Sequence, residues 1–93
     1  GPIFKFSEAV SFMVKCETQQ DIDEMWSKLS EGGEEGPCGW LKDKYGLSWQ
    51  IVMPECDEML RDKDSTKSER VMQAILHMTK PDLKTIRQAY EGI

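Results

Sequence analysis

The chain has 93 residues, 39% hydrophobic and 31% charged, which suits one small folded domain near the lower limit of a self-sufficient core and excludes a disordered polar chain. Its net charge of −5 comes from 12 basic and 17 acidic side chains. It would repel a phosphate backbone, and Lys42, Lys44 and Lys63 alternate with acids instead of clustering with aromatics, so no nucleic-acid partner is expected.

No run reaches the roughly 18 apolar residues of a membrane span, and no charged-then-apolar signal pattern opens the chain, so no membrane partner is expected either. Cys16, Cys38 and Cys56 are odd in number, with no CxxC, and His77 is the single histidine. That set suggests neither a disulfide framework nor structural zinc, and a reducing, cytoplasmic location is the expectation.

Residues 1–7 show no periodicity, but Ile3, Phe4 and Phe6 are too apolar for a free tail. Residues 8–16 alternate and predict a half-buried strand. Val10, Phe12, Val14 and Cys16 form its bulkier face; Ala9, Ser11, Met13 and Lys15 form the other. Thr18 predicts a helix cap with Asp21 in the capping-box position. Ile22, Met25, Trp26 and Leu29 then make one apolar stripe, read as core packing. Gly32-Gly33 supplies the exit.

Residues 34–37 read as a polar approach or a very short strand. Two strands follow in residues 38–52, CGWLKDKYGLSWQIV, joined by a turn at 43–46 in which Gly46 takes positive φ. In the second strand Trp49 and Ile51 face one way, and Ser48, Gln50 and Val52 the other. The facing of Trp40 is left open by alternation. The bulky faces should receive the helix stripe, which leaves the mixed faces for solvent, a ligand or another protein layer.

Pro54 ends the sheet. A short helix over 55–61 should turn Met59 and Leu60 inward. Thr66 and Glu69 suggest a second capping box, followed by the stripe Val71, Ala74, Ile75 and Met78 up to Pro81. A last helix turns Leu83, Ile86 and Tyr90 inward and stops at Gly92. The expected fold class is α+β: a βαβββ module over 1–54 and a helical extension of the same domain over 55–93.

The long hairpin within this element order resembles the PhnB-like branch of the vicinal-oxygen-chelate (glyoxalase/bleomycin-resistance/dioxygenase) superfamily, whose members often carry the label 3-demethylubiquinone-9 3-methyltransferase domain. Gly1-Pro2 with Phe4 and Phe6 looks like the family's crossing segment, and residues 7–12 like the strand opening its second module. Residues 16–29 look like its helix, and 78–92 like its C-terminal helical signature.

The resemblance implies a single glyoxalase-like half-module. In that superfamily two βαβββ modules close their curved sheets into a cup, and metal ligands, where used, sit on its inner face. The first module has no counterpart here, so the cup would be completed by a missing module or a second copy, as in a homodimer. The resemblance puts Ala9 where metal-using relatives carry histidine, and Gln50 where they carry glutamate. Alanine cannot ligate, and a neutral amide is a poor ligand for a divalent transition metal. No metal is therefore expected in this half. No cofactor is expected either, because no glycine-rich strand–loop–helix supports the methyltransferase label.

The candidate ligand-binding residues are Ser11, Met13, Trp40, Ser48, Gln50 and Val52. Gln50 could hydrogen-bond a small polar ligand or merely a neighbouring side chain. Ser11 and Ser48 could add hydroxyls or be ordinary strand residues. Cys38 reads as structural, His77 as a surface residue, and Asp57, Glu58, Asp62 and Asp64 as a solvated acidic face. Three functions follow: small-molecule binding in a cup; a metal-dependent vicinal-oxygen-chelate enzyme using another module's ligands; or a structural remnant.

Overall fold

The alternation, the helical stripe and the glycine-marked hairpin are all realised in a computed structural model that describes residues 10–93. The expectations for Ile3, Phe4, Phe6, Glu8 and Ala9 lie outside the described residues. The elements are β1 (Ser11–Lys15), α1 (Gln19–Ser30), β2 (Glu34–Glu35), β3 (Trp40–Lys42), β4 (Ser48–Val52), α2 (Pro54–Leu60), α3 (Ser65–Leu76) and α4 (Leu83–Glu91). The protein is thus α+β, a βαβββ half-module with C-terminal helices.

The sheet order is β1-β4-β3-β2. β4 pairs antiparallel with β3, and β3 with β2, as short connections require; β1 lies parallel to β4, reached through α1. Thr18 caps α1, its hydroxyl accepting from the Asp21 N–H at 3.1 Å. The helix then buries Ile22 and Trp26 over Leu41 and Ile51. The same core continues through Cys16, Met53 and Cys56 into Val71 of α3 and Leu83 and Ile86 of α4.

The helix-facing side of β1 is covered only at its C-terminal end. Cys16 is buried and Val14 half-buried, whereas Val10 and Phe12 are 57% and 53% exposed. The cause is position: α1 lies over β3 and β4, and β1 is at the edge of the sheet formed by the described residues. Phe12 packs edge-on against Trp49 instead, ring centres 5.3 Å apart.

Three predicted boundaries shift. Pro54 is the first residue of α2, where its missing N–H costs nothing. Asp64 caps α3, accepting from the N–H groups of Thr66 and Lys67 at 3.0 and 3.3 Å, so Thr66 sits inside the first turn. And α3 ends at Leu76, before Pro81, because the following loop bonds to the module: the Cys38 N–H donates to Met78 O and the Gly39 N–H to Thr79 O. Met78 still packs on the core from that loop.

Candidate functional site

Register settles which side chains share the face turned away from α1. Opposed residues in paired strands point the same way. Ser11 lies opposite Ser48, Met13 opposite Gln50 and Lys15 opposite Val52. Across the hairpin, Trp40 lies opposite Gln50 and Lys42 opposite Ser48. All six candidate residues, Ser11, Met13, Trp40, Ser48, Gln50 and Val52, therefore stand on one sheet face. Trp40, which alternation alone left open, stands there with them.

The hairpin is held by Asp43. One carboxylate oxygen accepts from the N–H groups of Tyr45 and Leu47 at 2.9 and 3.0 Å, and the other from the Trp49 indole at 3.1 Å. Burial would raise the Asp43 pKa, but these bonds from Trp49, Leu47 and Tyr45 outweigh it and hold the carboxyl below its usual range. The turn thereby fixes where β4 begins, and so the position of Ser48.

Over β2, β3 and the start of β4 lies an open groove of about 560 Å³. Trp40 and Ser48 line it, with Glu34, Glu35 and Lys42 and the Gly36-Pro37 bend. Glu35 is already engaged, accepting from the Trp26 indole N–H. Glu34 stands opposite Lys42 in the register, an opposite-charge pair across strands. Ser11, Met13, Gln50 and Val52 continue the same face beyond the groove, and Met13 is 67% exposed.

Two polar side chains on this face differ in how they are satisfied. The Gln50 amide donates to the Ser11 hydroxyl at 3.0 Å, so these two candidates partner each other. Ser48 is only 1% exposed, and its hydroxyl has no hydrogen-bond partner among the described residues. A buried, unpaired hydroxyl costs about 1–3 kcal/mol and calls for a reason. Alternation marks Ser48 as a small strand residue but carries no sign of this. The groove residues Glu34, Glu35 and Lys42 also escape sequence reasoning, because only the β2–β3 register brings them beside Trp40.

The donor set on the face, two hydroxyls and an amide already bonded within the fold, does not suit a divalent transition metal. Among the described residues no group of three or more histidine, cysteine, aspartate or glutamate side chains could hold a metal ion. The thiols lie elsewhere. Burial, then the Asp21 charge, raises the Cys16 pKa. Cys56 is pushed up to about 11 by burial and by Glu55 and Asp57, which keeps it protonated and inert. Cys38 is half-buried in the loop before β3, and His77 is exposed with its ring bonded to the Gln73 carbonyl at 2.7 Å.

The acidic run divides. Asp57 and Glu58 are exposed, but Asp64 caps α3 and Asp62 accepts from both the Asp64 N–H and the Tyr90 hydroxyl. Half of that run is structural, not a solvated face.

A four-stranded mixed sheet with α1 on one face, the other face open among the described residues, and helices following it is the architecture of a glyoxalase-like half-module. The family model described as 3-demethylubiquinone-9 3-methyltransferase matches residues 1–52, and the chain belongs to that PhnB-like family. Among solved structures it is similar to a PhnB protein from Bacillus cereus that carries the same label, at 36% identity and a TM-score of 0.49. That match covers 57% of this chain and 49% of the other, so the shared part spans about half the length of that relative. No curated protein matches. No helix among the described residues is long and apolar enough to cross a membrane.

Proposed function

We propose that this PhnB-like chain binds a small polar molecule on the open sheet face, with Trp40 and Ser48 in the groove and Ser11, Met13, Gln50 and Val52 extending it. The observation that carries this reading is the Ser48 hydroxyl, buried at the groove without a partner among the described residues. A fold does not keep such a group for stability, since replacing it by an apolar one of similar shape costs little. A ligand is a reason to keep it. Binding would use no conventional metal in this half.

The test is NMR mapping with a panel of small amides, hydroxy acids and diols. Shifts gathered on the backbone amides of residues 40–42 and 48–52 are the expected result. Shifts gathered on the α2–α4 surface, or none at all, would overturn the reading.

The same proposal includes pairing, with residues 1–54 as the module and 55–93 as its extension. Among the described residues β1 has a strand partner on one side only, and Phe12 and Met13 on it, with Val10 just before it, are all more than half exposed. An edge of this kind favours association. A second copy, or a separate module, would complete the cup over the open face. Light scattering after size exclusion should give a dimer for the isolated chain if a second copy does so; a stable folded monomer at micromolar concentration excludes that arrangement.

A further inference from the structure

The three tryptophans are satisfied differently, and the difference points to the kind of molecule the groove takes. The Trp26 indole N–H donates to Glu35, and that of Trp49 donates to Asp43 at 3.1 Å. Both rings are thereby fixed by the fold. Trp40 makes no such bond among the described residues, is half-buried, and lines the groove together with the unpaired Ser48 hydroxyl. The groove therefore combines an aromatic face with unused N–H and O–H donors. Glu34 and Lys42 line it as an opposite-charge pair across strands, and the Glu35 carboxylate is turned to the Trp26 indole, in a chain of net charge −5. With the local charges offset, neither an anion nor a cation finds an unopposed counter-charge there, and the net negative chain adds nothing for an anion.

We propose that the groove's ligand is an uncharged, planar molecule bearing a carbonyl oxygen, stacked on Trp40 and accepting a hydrogen bond from the Ser48 hydroxyl. Each part answers one feature. A planar π-system gains from the indole face where a saturated ring of the same size gains only contact area. A carbonyl offers acceptor lone pairs and no donor, matching donors that lack acceptors. Neutrality leaves the Glu34 and Lys42 pair undisturbed. The Ser48 hydroxyl is sealed from solvent, so the ligand must displace what covers it to reach it. This inference rests on the small-molecule reading above and narrows it to one chemical class.

The experiment uses the full chain and four probes: benzamide, benzoate, benzylamine and cyclohexanecarboxamide. Indole N–H signals are read by ¹⁵N NMR, with Trp40 assigned through Trp40→Phe. Benzamide should move the Trp40 signal, leave those of Trp26 and Trp49 in place, and bind more tightly than the other three. Ser48→Ala should weaken benzamide about tenfold, on the order of one hydrogen bond, while the melting temperature stays level or rises because an unpaired hydroxyl has been removed. Benzoate or cyclohexanecarboxamide binding as well as benzamide on this face would overturn the ligand class and leave the small-molecule reading standing. Absence of any probe-induced shift on this face would overturn both. Unaltered benzamide binding by Ser48→Ala, or a marked fall in its melting temperature, would remove Ser48 from the site.

Discussion

At the scale of single residues, two glycines of the hairpin region are needed for different reasons, and this can be measured. A Cβ on Gly33 would lie 2.1 Å from the Lys42 carbonyl oxygen, a backbone atom that cannot step aside without disturbing the β2–β3 ladder. Gly46 has φ +83°, but a Cβ there meets nothing within 4 Å. Gly33→Ala should therefore destabilise by the cost of overpacking, about 1–3 kcal/mol or more. Gly46→Ala should cost only the left-handed conformation, about 1–2 kcal/mol. Urea unfolding of both variants should place Gly33→Ala as the more damaging, and the reverse order would mean that the β2–β3 approach is looser than its geometry. The sequence marked Gly46 as a turn residue because the DKYG pattern is local. It gave Gly33 a role at the helix exit and not the close approach, which arises between residues of different elements. Ser48 and Trp40 divide the same way: alternation placed Ser48 on the mixed face, but the facing of Trp40 follows from strand register, and the unpaired Ser48 hydroxyl is visible only in the packed fold.

At the scale of elements, the caps show where a local pattern misleads. Thr66 and Glu69 have capping-box spacing, yet Asp64 performs the capping of α3 with two N–H bonds. Asp62 in turn accepts from the Asp64 N–H at 2.8 Å, which sets the loop that delivers Asp64. Asp64→Ala should cost about 1 kcal/mol, the usual worth of a cap, whereas Thr66→Ala, at an exposed first-turn position, should lie within about 0.5 kcal/mol of wild type. Thermal unfolding of the pair decides between them; equal losses would mean that Thr66 shares the capping. Two competing caps two residues apart pull in opposite directions, since the capping-box spacing favours Thr66 while aspartate is the better capping side chain. The β1 edge carries a related lesson. Its alternation was legible, but which part of the bulky face would be covered depended on where α1 crosses the sheet, and α1 covers β3 and β4.

At the scale of the whole molecule, the helices are tied to the module and to one another by carboxylates, and this makes stability depend on pH in a definite direction. Arg87 on α4 grips Glu55 on α2 through two nitrogens, with the second contact at 2.7 Å, and its hydrogen bonds hold the Glu55 carboxyl below its usual range. The Tyr90 hydroxyl on α4, then the Asp64 N–H, lower Asp62. Lys80, at 2.8 Å, and Gln19 lower Asp23, joining α1 to the loop before α4. Asp43 is lowered within the hairpin. Each of these groups has a folded pKa below its unfolded one, so the stability it contributes is present above the unfolded carboxylate range and is lost as pH falls through the folded pKa. The four act together. The melting temperature should hold level from neutral pH to about 5 and then decline steadily toward about pH 3, the ordinary carboxylate values lying near 4. Asp62→Asn should lower the neutral-pH melting temperature slightly and flatten the acid decline, since the asparagine has no proton to take up. Added salt should shrink the Asp23 and Glu55 contributions before that of Asp62, because Lys80–Asp23 and Arg87–Glu55 are comparably exposed ion pairs whereas Asp62 is held by uncharged donors. Thermal unfolding followed by circular dichroism at pH 7, 5, 4 and 3, in low and high salt, reads all of this. A melting temperature unchanged down to pH 3 would show that these contacts do not hold the helices to the module, and that the apolar core running from Ile22 to Ile86 does so alone.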